Sequence, residues 1–255
     1  MARLAIDEAA WSNAWRTRST AEKAVLALGL LAVAVTARSA PVALAVLVLA
    51  VGAALAGARV PARTYLRAVA APASFVILGA ASIAVTWGST VPHARWSWGP
   101  IGITDEGLHQ ALLVLVRALA ATSALTLLAT TTPMSDLLTG MRRLRLPEVV
   151  IDVAGLIYRM LFTLLDTLAG IREAQAARLG YASGRAARRS LGMLAAAVLV
   201  QAWTRARRLE DGLAGRGYTT SLRTLAVATP VSIPFVLASG AVVIALAAWS
   251  AVTPS

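Results

Sequence analysis

Cysteine is absent from the 255 residues, which excludes disulfides, thiolate metal sites and thiol nucleophiles. Lysine occurs once, as Lys23, so a Walker A loop, with its Gly-Lys followed by Ser or Thr, cannot be formed. The chain is therefore not an ATPase of that type. Histidine occurs twice, as His93 and His109, and the 12 acidic residues are spread along the chain. A membrane enzyme needs such groups clustered at one face, so the chain is read as no enzyme, with no cofactor and no metal site of its own. Aromatics make up 5%. A basic face interleaved with stacking rings on a soluble fold, the pattern of a nucleic-acid binder, is missing.

What remains is hydrocarbon. Hydrophobic residues are 58% of the chain and charged residues 14%, with a mean hydropathy of +0.71. This composition describes an integral membrane protein. Apolar segments lie at 24 to 37, 41 to 58, 66 to 87, 108 to 130 and 226 to 252. These predict about five spans. No large soluble domain fits beside them. The segment at 24 to 37 is short and must borrow flanking residues or tilt through the turn from Arg38 to Pro41. It is read as a span rather than a secretory signal, because Asp7, Glu8 and Glu22 precede it and no small-x-small cleavage site follows cleanly. The expected class is an all-α integral membrane protein with about five transmembrane helices and two long amphipathic cytoplasmic helices. It divides into an N-terminal membrane region of four spans (1–132), a cytoplasmic helical region (133–223) and a C-terminal span (224–255).

Orientation follows from the basic residues. With the N-terminus inside, 21 of the 24 lie on the cytoplasmic side, Arg38 and Arg95 lie outside, and Arg117 lies within a span. This is the positive-inside pattern of a bacterial cytoplasmic membrane protein. The same asymmetry accounts for the net charge of +12, with anionic lipid headgroups as its counterpart. Arg117 has no matching acid in the other spans, so structural pairing inside the bundle is expected for it.

The cytoplasmic stretch divides at its breakers. Pro133 closes the fourth span, Ser135 or Asp136 can cap a short helix, and Pro147 starts a new one. From Val150 onward Val153, Ile157, Met160, Leu164, Leu168 and Ile171 step by three or four, while Asp152, Arg159, Asp166 and Glu173 recur every seven. That spacing predicts an amphipathic helix of roughly 27 residues, about 40 Å long. Four ionisable groups in line are costly in lipid, so it belongs at the interface or on a partner helix. A second long helix is expected from about Ala186 to Ala214, beyond the break at Gly180 to Gly184.

Each long helix finishes on an arginine: Ala177, Arg178, Leu179 at the first, and Ala214, Gly215, Arg216, Gly217 at the second. A basic residue in a last turn followed by glycine is also ordinary capping, worth about 0.3 to 1 kcal/mol. Two such motifs at matching positions favour docking, with guanidinium forks meeting carboxylates on another protein. His93 and His109 flank the outer loop with Trp87, Trp96 and Trp98. Two histidines without a third ligand make a poor metal site, and the tryptophans suit a membrane-interface belt.

Taken in order, several residues resemble the transmembrane T component of energy-coupling factor transporters, most closely its cobalt and nickel branch. They are Glu106, Gly107, Leu108 leading to Arg117; Thr131, Thr132, Pro133; Leu144, Arg145, Leu146, Pro147; Tyr158, Arg159; Ala174, Gln175 leading to Ala177, Arg178; and Arg205, Ala206, Arg208, Leu209 leading to Ala214, Gly215, Arg216, Gly217, Tyr218. The resemblance runs from roughly residue 20 to 225. It implies a non-enzymatic mechanical subunit whose two coupling helices place Ala-Arg-Gly-like motifs in grooves on two ATP-binding cassette ATPase subunits. ATP-driven motion then tilts a separate substrate-binding S component in the membrane. By position, Arg178 and Arg216 are the two anchors. The chain departs from the usual motif at Leu179, where the family has glycine, and at Gly215, where it has alanine. The implied transport is of cobalt or nickel. A vitamin system such as biotin uptake is the alternative within the family, and a self-sufficient permease is an alternative outside it.

Overall fold

The computed structural model describes residues 5–87, 94–98, 101–144, 146–217 and 231–253. In chain order the elements are α1 (Ala5–Ser12), α2 (Thr20–Thr36), α3 (Ala40–Gly52) continued by a π-helical turn (Ala53–Gly57), α4 (Ala62–Ala84), β1 (Val85–Trp87), β2 (Ala94–Trp98), β3 (Ile101–Thr104), α5 (Asp105–Thr131), α6 (Met134–Arg143), α7 (Glu148–Ala177), α8 (Gly184–Ala214) and α9 (Ile233–Val252). They form two units. One holds Ala5–Pro133 and Ala228–Ser255, and the other is built on Met134–Val227.

The first unit is the membrane bundle. Among the described residues, Ala40–Gly57, Ala62–Ala84, Asp105–Thr131 and Ile233–Val252 are long and apolar enough to cross a membrane. The expected short span is α2, whose 17 residues reach about 26 Å. It borrows residues at its N-terminal side, beginning at Thr20 rather than 24. The protein is all-α in class and spans the membrane several times.

The region between α4 and α5 corrects the sequence reading. The third apolar segment does not stay helical to residue 87. Val85, Thr86 and Trp87 leave α4 as β1 and pair antiparallel with β3, which pairs with β2 on its other side. β-Branched and aromatic residues suit a short pleated ladder better than a helix end, and this local composition overrides the hydropathy run.

Packing in the bundle depends on small side chains. Lipid tails are as apolar as leucine, so burial from water drives little helix association within the membrane. Close backbone approach drives it instead. α5 packs against α2, α3 and α4, and α2 also packs against α9. Its core is Ala34, Ala37, Ala43, Ala50, Ala120 and Ala124 interleaved with Leu30, Val33, Val42 and Val46. A Cβ on Gly29 would lie 2.6 Å from Val243 Cγ2, so glycine is required where α2 meets α9. At the start of α9 the Trp15 ring lies against Gly57 and meets Phe235 edge-on at 5.5 Å.

Arg117 has the structural partner expected of it. Its guanidinium donates to the carbonyl of Val35 in the last turn of α2. That carbonyl lacks an intrahelical donor, and a cation there meets the negative end of the helix. Asp105 and Glu106 lie in the first turn of α5, but the side-chain cap is Thr104, whose Oγ1 accepts from Gly107 N.

The second unit contains α6, α7 and α8. Pro147 immediately precedes α7, which runs 30 residues. α8 runs 31 residues and begins at Gly184 rather than Ala186, because Ser183 Oγ accepts from Ala186 N and caps the start. Arg142 Nη2 of α6 donates to Asp152 Oδ1 at 2.8 Å, with the Asp152 side chain almost wholly buried. This ion pair fastens α6 to α7 and uses the first acid of the seven-residue polar line.

Candidate functional site

α7 and α8 form an antiparallel hairpin. Near the turn, Leu168 faces Leu191, Leu194 and Val198. Farther on, Leu156, Ile157 and Met160 face Ala206, Leu209 and Leu213 across an apolar groove of about 540 Å³. Arg178 sits at the closed turn and Arg216 at the opposite end, just past the last residue of α8. The 31 residues of α8 separate the two tips by about 46 Å.

The two tips share a backbone pattern at the arginine and its successor. Arg178 N donates to Gln175 O and Leu179 N to Ala176 O; Arg216 N donates to Leu213 O and Gly217 N to Ala214 O. In each case the arginine and its successor bond three residues back, tightening the last turn. The residue after each arginine is left-handed, with φ of +58° at Leu179 and +68° at Gly217. That conformation satisfies the last carbonyls of a helix and is the natural place for glycine. Ala177, Arg178 and Leu179 are exposed, as are Ala214, Gly215, Arg216 and Gly217. Among the described residues neither arginine has an ion-pair partner. Two cationic forks therefore project to solvent on the same helix-terminating turn.

The departures from the expected motif now have a structural meaning. Leu179 occupies the left-handed position where the resemblance leads one to expect glycine, so this tip holds a strained leucine. Gly215 has an ordinary right-handed φ of −65°, so nothing in its backbone requires glycine.

A side-chain clasp holds the first tip. Tyr181 OH donates to Gln175 Oε1 at 2.8 Å, Gln175 Nε2 donates to the Ser190 carbonyl at 3.0 Å, and Ser190 Oγ donates to the Gly180 carbonyl at 2.8 Å. Gly180 N also reaches back to Gln175 O at 2.8 Å. A Cβ on Gly180 would lie 2.7 Å from Ser190 Oγ and 2.8 Å from Gln175 O, so no side chain fits there. The clasp ties the end of α7 to the start of α8 and holds Leu179 in its strained conformation. Sequence reasoning found Gln175 only as part of the family resemblance and missed Tyr181 and Ser190, since no spacing rule marks a hydrogen-bonded turn of this kind.

Among the described residues no group of three or more His, Asp or Glu side chains could hold a metal ion. His109 is exposed on α5, and His93 lies outside the described residues, as do Arg145 and Tyr218.

Comparison with known proteins is decisive for the family. A family model described as CbiQ, cobalt transport protein, matches residues 12–225. The chain belongs to the CbiQ cobalt transport family. It is 39% identical over 237 residues to the cobalt transport protein CbiQ of Rhodobacter capsulatus, covering 93% of each chain. It is 35% identical over 133 residues to the CbiQ of Salmonella typhimurium, covering 51% of this chain and 59% of that one. Its relatives extend to the energy-coupling factor transporter transmembrane protein EcfT of Limosilactobacillus fermentum, 29% identical over 189 residues and 70% of each chain. The chain is thus a CbiQ-like T component, a multi-pass membrane protein of a transport family. The matched region contains both arginine tips.

Proposed function

We propose that this chain is the energy-coupling subunit of an ATP-driven importer in the bacterial cytoplasmic membrane, with its N-terminus inside. It docks two ATP-binding cassette ATPase subunits, one at Arg178 and one at Arg216, and passes their motion to a membrane S component. The transported substrate is cobalt or nickel. The observation that carries this reading is the repeated tip: two exposed arginines, each on a tightened helix end before a left-handed residue, at opposite ends of one helical hairpin.

The chemistry fits that role. A guanidinium offers a rigid fork to a carboxylate, and an arginine with no acid of its own gives up no internal pair on binding. Tips about 46 Å apart suit two separate partners better than one groove. α7 and α8 are long enough to carry a displacement from a docked end to an apolar face. The cobalt-transport names of the relatives support the substrate, and the EcfT relative supports membership of an energy-coupled assembly.

Affinity purification of the tagged chain tests the reading. Arg178→Glu with Arg216→Glu leaves the chain in the membrane and abolishes copurification of ATPase subunits and ATP-dependent cobalt uptake. Normal copurification and uptake with both charges reversed contradict the proposal.

A further inference from the structure

A buried charged pair at the start of α2 bonds to the last residue of α5 and to the residue just ahead of α9. Lys23 is the only lysine and is 2% exposed; its neighbour Glu22 is 1% exposed. Lys23 Nζ donates to the carbonyl of Thr131, the last residue of α5, at 2.9 Å. Asn13, 6% exposed, donates through Nδ2 to Ala10 O at 2.7 Å and lies 3.3 Å from that same Thr131 carbonyl. Two residues later, at Pro133, the chain leaves the bundle for the α6–α8 unit. On the return, Ser232 N, just ahead of α9, donates to Glu22 Oε1 at 2.8 Å, and Arg18 pairs with the other carboxylate oxygen at 3.5 Å.

The signs of these charges match the helix ends they touch. Lys23 meets the negative C-terminal end of α5, and Glu22 meets the positive N-terminal end of α9. Burying two ions is costly unless each finds such partners, and a bundle needing only apolar packing would not place them here. Adjacent side chains on one helix thus tie down the end of α5 and the start of α9.

We propose that Glu22 and Lys23 are the anchor against which that unit works, positioning residues that keep the exit from α5 and the entry to α9 fixed while the arginine tips move. This rests on the coupling function proposed above. A force delivered at the tips moves a partner only if the bundle ends do not fray under it. With the anchor removed, ATP is hydrolysed but the stroke is lost in local unwinding of α5 and α9.

The test uses the whole complex purified through this chain and reconstituted in liposomes, with cobalt uptake and ATP hydrolysis measured on the same sample. For Lys23→Met and Glu22→Gln the expected result is ATPase copurification and hydrolysis near the wild-type level, with uptake per ATP lowered about fivefold or more. Amide exchange rises by a similar factor in the last turn of α5 for Lys23→Met and in the first turn of α9 for Glu22→Gln. A capping role confined to stability changes exchange and yield but leaves uptake per ATP intact, and that result overturns the anchor. So does a fall in uptake matched by an equal fall in hydrolysis. If Lys23→Met fails to accumulate, Glu22→Gln decides, because glutamine keeps an acceptor for Ser232 N–H and removes only the charge. Wild-type protein without ATPase partners refutes the coupling function and the anchor together; coupled wild type with unaffected variants refutes the anchor alone.

Discussion

Replacing Leu179 by glycine should stabilise the tip that carries Arg178. A left-handed conformation costs an L-residue about 1 to 2 kcal/mol, and glycine adopts it freely. Glycine also gives the unfolded chain more freedom, which returns about 0.5 to 1 kcal/mol of that gain. Leu179 is 75% exposed, so its removal sacrifices little packing. The net expectation is a gain of about 0.5 to 1 kcal/mol, which slows opening of the turn by about two- to fivefold. Thermal melting of a membrane protein is commonly irreversible, so the local equilibrium is better read by amide exchange in lipid nanodiscs. The amides to follow are those of Leu179 and Gly180, which donate to Ala176 O and Gln175 O. Slower exchange at both in Leu179→Gly supports the reasoning. Unchanged or faster exchange means that the clasp of Tyr181, Gln175 and Ser190 does not hold the leucine under strain, and refutes it.

Three further outcomes follow. Gly217→Ala places a Cβ in the left-handed position of the second tip and costs about 1 kcal/mol, seen as faster amide exchange in the last turn of α8. Gly29→Ala drives a methyl into Val243 and destabilises the bundle by about 1 to 3 kcal/mol, with Val243→Ala restoring most of it; aggregation temperature in detergent ranks the single and double variants. Asp152→Ala leaves the Arg142 guanidinium without its buried acceptor and costs about 1.5 to 3 kcal/mol, read as increased protease cleavage between α6 and α7.

The spans and the two long helices were legible because their signals are periodic and long. Twenty apolar residues and a three-four repeat over about six turns survive local noise, and the observed α7 and α8 begin within two residues of expectation. The arginine tips were visible through their repetition. The terminal strand β1 was not, because a hydropathy run does not distinguish the end of a span from three strand residues. Nor was the clasp at Gln175, Tyr181 and Ser190, which depends on three hydrogen bonds across a turn. In the sequence Glu22 spoke only against a secretory signal and Lys23 only against a Walker A loop. The role of the pair comes from α5 and α9 returning to one point, over sequence separations of 108 and 210 residues, and no local pattern encodes such a meeting. Leu179 is a case of a departure seen in sequence whose meaning needed φ: the missing glycine marks a strained turn.

The absence of cysteine makes the central claim directly measurable. Single cysteines introduced as Leu179→Cys and Ala214→Cys, with Leu237→Cys on α9 as control, are treated with a short photoactivatable cross-linker, attached through the cysteine and inserting into any neighbouring chain on illumination, in membranes holding the assembled transporter. The account predicts that both tip cysteines join covalently to an ATPase subunit while Leu237→Cys does not. Tip cysteines that react with an impermeant reagent from outside the cell, or that never capture an ATPase, would contradict it.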